Sequence, residues 1–203
     1  TTGADEQALW GRMAIGGADG NSIHLIANYY PGASNPPTGP VIKGIQSPMV
    51  YSRSINGGNS WNLQSVMLPG YDSTRTLYGG AEEYSIDADL TTVAILHGGL
   101  GEDLTLWKSI DNGTTWTRTL VDSFPYAPDP DLNGTNGDTV VTNDGGMSVV
   151  VAPNGTAHVA FSTERMLDDT PGDGTFSIFP DDINLVYWND NTKQQVNIPI
   201  TTA

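Results

Sequence analysis

At 203 residues the chain is long enough for one domain with a real core, and its 24 Gly, 13 Pro and 15% charged residues point to strands joined by turns. Eight Lys and Arg stand against 23 Asp and Glu, and the net charge of −15 repels nucleic-acid phosphates and anionic lipid surfaces alike. Zero cysteines exclude disulfides, thiolate catalysis and Cys-based zinc sites, and no apolar run approaches the roughly 18 residues of a membrane span. The opening TTGADEQALW has no initiator Met, basic start or apolar signal core, so the chain reads as a processed or trimmed segment.

Along the chain, a strand-like RMAIGG (12–17) leads into ADGNSIHLIA from 18, a polar turn followed by an apolar run. The same order recurs as EYSID (83–87) before ADLTTVAILH from 88, and as MSVVV (147–151) before APNGTAHVAF from 152. Each is a hairpin. Downstream of the first comes SINGGNSW (54–61), entered by PMVYSR and left by NLQSVML. Downstream of the second comes SIDNGTTW (109–116), between DLTLWK and TRTLV. The third is followed by a fainter WNDNTKQQ (188–195), between INLVYW and VNIPI, in which Asp190 aligns with Asp111. Four strands per unit, three times over, spell an all-β partial β-propeller of about three four-stranded antiparallel blades. Blade 1 is expected at about 10–70, blade 2 at about 80–122 and blade 3 at about 144–201, in one domain covering 1–203. Long Gly/Pro-rich loops at 29–48, 122–138 and 167–182 stretch the units beyond the common blade length of about 40 to 50 residues.

The pattern S-x-D-x-G-x-[ST]-W resembles the Asp-box, or BNR repeat, of sialidase-like propellers. Ser109, Asp111, Gly113, Thr115 and Trp116 match it in full; Ser54, Gly58, Ser60 and Trp61 match with Asn56 in place of Asp. Such a turn has a structural explanation: Asp and Ser side chains bind backbone N–H groups, Gly takes a conformation others resist, and the Trp covers neighbouring strands. The resemblance places these turns on the outer rim, between third and fourth strands. Because propellers close with about four to eight blades, the chain is expected to belong to a longer protein whose remaining blades, or another domain, complete it.

Ligands of propellers gather at the central channel. Extending the hairpin alignment puts Arg12, Glu82 and Gly146 at equivalent positions there, with Trp10, Glu83 and Asp144 as neighbours. The resemblance implies that Arg12 stands where sialidases place a carboxylate-gripping Arg, although Met13 and Ala14 replace the usual Ile and Pro. It also implies a Tyr nucleophile with a Glu partner, an Asp acid/base and two further arginines. The chain has Arg12, Arg53, Arg75, Arg118 and Arg165; Arg53 and Arg118 flank the turns and are expected on the rim, and the loop GASNPPTGPVIKGIQ contains no acid. Glu82 and Glu83 are candidates for a carboxylate pair. DPDLNG (129–134) supplies Asp129, Asp131 and Asn133 at alternate positions of a candidate calcium site, with Asp138 beyond it as a late ligand. His24 and His158 share one hairpin position with Ala94 between them, so they are read as strand-packing residues. The function expected is a non-catalytic module of an exported or cell-surface protein, bacterial and in the style of type IX secretion cargo, binding glycan or protein. A sialidase-like glycoside hydrolase with part of its site in this chain, and a pure scaffold, are the alternatives.

Overall fold

The structure is a computed structural model that describes residues 7–30, 41–76, 78–126, 139–167 and 175–199. Blade 1 consists of β1 (Gln7–Gly16), β2 (Ser22–Tyr30), β5 (Met49–Ser54) and β6 (Leu63–Val66). Inside its long connection lies a small hairpin, β3 (Val41–Ile42) with β4 (Ile45–Gln46). Blade 2 is β7 (Tyr84–Asp89), β8 (Thr92–His97), β9 (Leu104–Ser109) and β10 (Thr117–Asp122). Blade 3 is β11 (Thr139–Val151), β12 (Ala157–Leu167), β13 (Ser177–Asn189) and β14 (Val196–Ile198). Each blade is an antiparallel four-stranded meander, and β7 lies against β1 on one side and β11 on the other. The chain is an all-β partial propeller.

Two apolar layers hold the blades face to face. Between blades 1 and 2, Ile26, Met49 and Tyr51 meet Tyr84, Ile95 and Trp107. Between blades 2 and 3, Ala94, Leu96 and Leu106 meet Val159, Phe161 and Trp188. Strand alternation explains the assignment: along β8, Ala94 and Leu96 face blade 3 while Ile95 faces blade 1, so the strand is buried on both sides. Blades 1 and 3 each keep one face uncovered by another described blade, where Met13, Ile15, Val150 and Leu185 are exposed.

The register corrects part of the alignment. The second hairpin closes tightly, with Asp89 opposite Thr92 and Leu90 in the left-handed region (φ 48°). The first and third close through longer turns, with Gly16 opposite Ser22 and Val151 opposite Ala157. Arg12 therefore matches Ser85 and Ser148 by strand pairing, since their partners Ile26, Leu96 and Ala160 are equivalent. Glu82 and Gly146 are not its counterparts.

The two full turns are built alike. Ser109 Oγ donates to Asp111 Oδ1 (2.7 Å) and accepts the Gly113 N–H (2.8 Å), while Asp111 Oδ1 also accepts the Thr115 N–H (2.8 Å). In blade 1 Ser54, Asn56, Gly58 and Ser60 repeat this, with Ser54 Oγ accepting from Gly58 at 2.9 Å and Asn56 Oδ1 from Ser60 N at 2.9 Å. One bond reverses direction: the Thr115 hydroxyl donates to Asp111 Oδ2 (2.7 Å), whereas Asn56 Nδ2 donates to Ser60 Oγ (2.8 Å). Asn therefore keeps these bonds in place of Asp, while the further bond from Thr114 N–H to Asp111 Oδ1 (3.2 Å) has no counterpart at Asn56 among the described residues. Trp116 packs against the apolar layer between blades 1 and 2, its ring edge-on to Tyr51 of blade 1 with centroids 5.2 Å apart. Trp61 is half-buried.

These turns also fasten blades together, and Arg53, expected on the rim beside a turn, is engaged by the turn of the next blade. Arg53 is buried and donates to the Asn112 carbonyl (2.5 Å) and Thr114 Oγ1 (3.0 Å) of the next blade's turn. Lys108, one blade on, contacts Asp190 Oδ2 at 2.5 Å. Asp190 bonds the backbone of Ala157, opposite which stand the equivalents of Ser54 and Ser109, so it occupies the serine place and not that of Asp111. Arg118 lies over the Trp107 ring, 5.9 Å from its centroid.

Candidate functional site

Trp10 and Arg12 of β1, Glu82 and Glu83 just before β7, and Asp144 and Gly145 within β11 come together across the three blades, Arg12 meeting Glu82 and Gly145 lying beside Glu83. A bulge between Leu9 and Arg12 places Trp10 at φ 53° and turns its ring outward, 43% exposed. The Tyr84 hydroxyl holds this bulge by donating to the Trp10 carbonyl at 2.8 Å. Burial of Tyr84 raises its phenol to about 12, so the hydroxyl stays a donor throughout the ordinary pH range.

Arg12 and Glu82 meet across the two blades, guanidinium to carboxylate, at 3.2 Å, with both side chains about half exposed. An exposed pair of this kind adds roughly 0 to 1 kcal/mol to stability, so both groups are free to exchange partners with a ligand. Glu82 is in the left-handed region (φ 69°). Glu83 points inward. It is cradled by glycines: a Cβ at Gly80 or Gly99 would collide with its carboxylate, and one at Gly145 would stand 2.9 Å from its Cγ. Burial raises the Glu83 carboxyl above the usual range, and no ion pair offsets that among the described residues. The two acids thus differ in environment: Glu82 is exposed and paired with Arg12, and Glu83 is half-buried in a glycine pocket. Glu164, raised by burial and then by the charge of Asp144, adds a further acid nearby.

Beside Trp10 is a shallow cavity of about 220 Å³ whose walls include Asn28, Gln46, Ser47, Tyr78 and Gly80. Tyr78 is 47% exposed, so two aromatic rings border the opening. Asn28 fixes the floor by donating to the carbonyls of Ser47 (2.8 Å) and Gly80 (2.6 Å), and Gln46 bridges to Tyr78. Beneath, the Tyr71 hydroxyl bonds His97 Nε2 at 3.1 Å, and burial lowers the His97 imidazole to about 4. Tyr78, Asn28 and Glu164 carried no motif in the sequence. The Gly79-Gly80 doublet was the readable signal, because a side chain at Gly79 would strike the Ser47 carbonyl.

Asp129, Asp131, Asn133 and Asp138 lie outside the described residues, as do Asp168, Asp169 and Asp173. Among the described residues no group of three or more His, Asp or Glu is arranged to hold a metal ion, and no helix is long and apolar enough to cross a membrane. Arg75 pairs with Asp103 (3.6 Å) and Arg165 donates to Thr139 (3.2 Å), so neither joins Arg12.

No family model matches the chain. No curated protein sequence matches it. Among solved structures it is similar to Trypanosoma rangeli sialidase in complex with 2,3-difluorosialic acid as a covalent intermediate: identity is 13%, 94% of this chain and 37% of that one are covered, and the TM-score is 0.37. The same enzyme with 2,3-difluoro-KDN gives 13% identity, 94% and 37% coverage and a TM-score of 0.35. A mutant of that sialidase displaying trans-sialidase activity gives 14%, 91%, 36% and 0.35. The chain spans little more than a third of the length of these proteins.

Proposed function

We propose that the chain is a non-catalytic propeller module that binds a glycan at the channel end of blades 1 and 2, within an exported or cell-surface protein. One observation carries this reading: the exposed Trp10 and Tyr78 both line a shallow cavity, and Trp10 lies two residues from the exposed Arg12–Glu82 pair. Exposed rings beside fixed polar groups suit the apolar face of a sugar, while a guanidinium and a carboxylate suit its hydroxyls or acid group. The absence of cysteine and the strongly acidic surface support export from a bacterial cell. The experiment is titration with an array of sialylated and neutral oligosaccharides, followed by Trp fluorescence, with Trp10→Ala and Arg12→Ala variants. Binding that persists unchanged in both variants overturns the proposal.

A second reading, a sialidase-like glycoside hydrolase completed by residues beyond this chain, is favoured by the raised Glu83 carboxyl near Arg12. It requires turnover of a fluorogenic sialoside that is lost in Glu83→Gln. Binding without turnover supports the module.

A further inference from the structure

The blade 1–blade 2 interface contains a polar clasp. His24 is fully buried; its Nδ1 bonds the Tyr51 hydroxyl at 2.7 Å and its Nε2 bonds Asn112 Oδ1 at 3.1 Å. Asn112 belongs to the turn of the following blade, and its Nδ2 also reaches Ser22 Oγ at 2.8 Å. Blade 1 thus presents a His–Tyr pair, and the next blade supplies an asparagine.

Blade 3 repeats the presenting half. His158 Nδ1 bonds the Tyr187 hydroxyl at 2.7 Å, and their ring centroids are 6.0 Å apart, against 6.1 Å for His24 and Tyr51. The register is the same: His24 lies opposite Arg53 and Tyr51 is two residues earlier, while His158 lies opposite Asn189 and Tyr187 is two residues earlier. Alternation fixes the direction, since Val159 and Phe161 enter the core against blade 2 and His158 faces away from it. No partner of His158 Nε2 occurs among the described residues. Around the pair lie exposed Val150, Leu185, Val196 and Ile198, the apolar surround that Ile26 and Met49 provide near His24 in the covered interface.

The interfaces inside the molecule show which turn residue goes with which face. The position three after the turn serine, or after Asp190 in its place, is left-handed in every blade: Gly57 (φ 67°), Asn112 (φ 58°) and Lys193 (φ 53°). Where the preceding blade presents His24, the turn has Asn112; where it presents Ala94, the turn has Lys193. A second copy of this chain offering its blade 1 would bring Gly57, which has no side chain to reach His158. Asn189 takes the place of Arg53 and Lys108 and bonds Tyr187 (3.1 Å), so on blade 3 the histidine pair is the half of the clasp that is repeated.

We propose that the open face of blade 3 is the receiving half of a further blade interface, occupied by a four-stranded blade whose turn carries an asparagine that bonds His158 as Asn112 bonds His24. The stack of two interfaces already present continues through this face. The inference rests on the propeller fold and is independent of glycan binding.

The test appends a second copy of residues 80–122, which carries Asn112, after Ala203 through a flexible linker. His158 is then footprinted with diethyl pyrocarbonate and mass spectrometry, with buried His24 as the internal reference. Labelling of His158 is expected to fall about tenfold on extension, because a covered ring reacts only through local opening. Changing the appended copy's own asparagine to Gly is expected to lower the melting temperature of the extended protein, and to have no such effect in the His158→Ala background. Circular dichroism reports whether the appended segment gains strand. Three results overturn the proposal: His158 labelled equally with and without the extension, whether or not strand is gained; an asparagine effect that is the same in both backgrounds; or a dimer of the 203-residue chain that His158→Ala dissolves, which would assign the face to a second copy.

Discussion

Replacing Asn112 by Gly isolates the clasp between blades 1 and 2. Glycine accepts the left-handed backbone at this position (φ 58°), so the change removes side-chain bonds without adding strain. Two bonds are lost, one that Asn112 Oδ1 accepts from His24 Nε2 (3.1 Å) and one that Asn112 Nδ2 donates to Ser22 Oγ (2.8 Å). Each is worth roughly 0.5 to 1.5 kcal/mol net, and the buried His24 nitrogen left unpaired raises the cost, giving about 3 kcal/mol in all. For a domain of this size about 1 kcal/mol moves the midpoint by about 2 to 4 °C, so the variant should melt about 6 to 12 °C below the parent. Calorimetry at pH 8 reads this directly. Gly57→Asn is the internal control, since no described histidine faces that turn, and its midpoint should stay close to the parent's. A midpoint for Asn112→Gly within about 1 °C of the parent's would refute the reasoning, as a clasp worth about 3 kcal/mol cannot vanish so cheaply.

Gly113→Ala should be worse than its volume suggests: φ is +76° and the new methyl meets the Tyr51 hydroxyl, so a loss of about 2 to 4 kcal/mol in urea titration is expected. Acid should weaken the fold through His24 and His97, whose imidazoles burial lowers from 6.5 to about 4. The unfolded chain binds their protons first, so their contribution is complete above pH 6.5 and is lost as pH falls toward 4, by about 3 kcal/mol for each; urea midpoints between pH 8 and 4.5 measure it. Asp111 is depressed by the N–H and hydroxyl donors of Thr115 and acts in the same direction at still lower pH. Glu83→Gln should have the opposite pH signature: a carboxyl raised by burial costs stability when ionised, so the variant should gain in melting temperature at pH 8 and little at pH 4. A loss at pH 8 would show that the glycine cradle favours the carboxylate.

The repeat was legible because a hairpin and a Ser–Asp turn write their geometry locally. Ser109, Asp111 and Gly113 bond within their own eight-residue turn, and Asn56 does the same work with one donor reversed. What the turns hold was not legible. Trp116 and Asn112 act on Tyr51 and His24, residues far away in the chain, and no local pattern announces an interblade contact. The same limit explains Arg53, read as a rim residue from its place beside a turn and found buried against the next one. At the channel the alignment named Arg12 and Glu82, and they do meet. They meet by packing of adjacent blades and not by strand equivalence, because the tight Asp89–Thr92 hairpin shifts the register of β7. Glu83 was paired with Glu82 on sequence adjacency; their different environments, Glu82 exposed against Arg12 and Glu83 half-buried among glycines, carry no local signal.

Through-space NMR contacts of the Trp116 indole give the most direct measurement. Radial stacking of the blades requires cross-peaks between Trp116 ring protons and those of Tyr51, whose centroids are 5.2 Å apart in different blades. Cross-peaks confined to residues of blade 2, with none to Tyr51, would contradict the stacked arc and the channel end built on it.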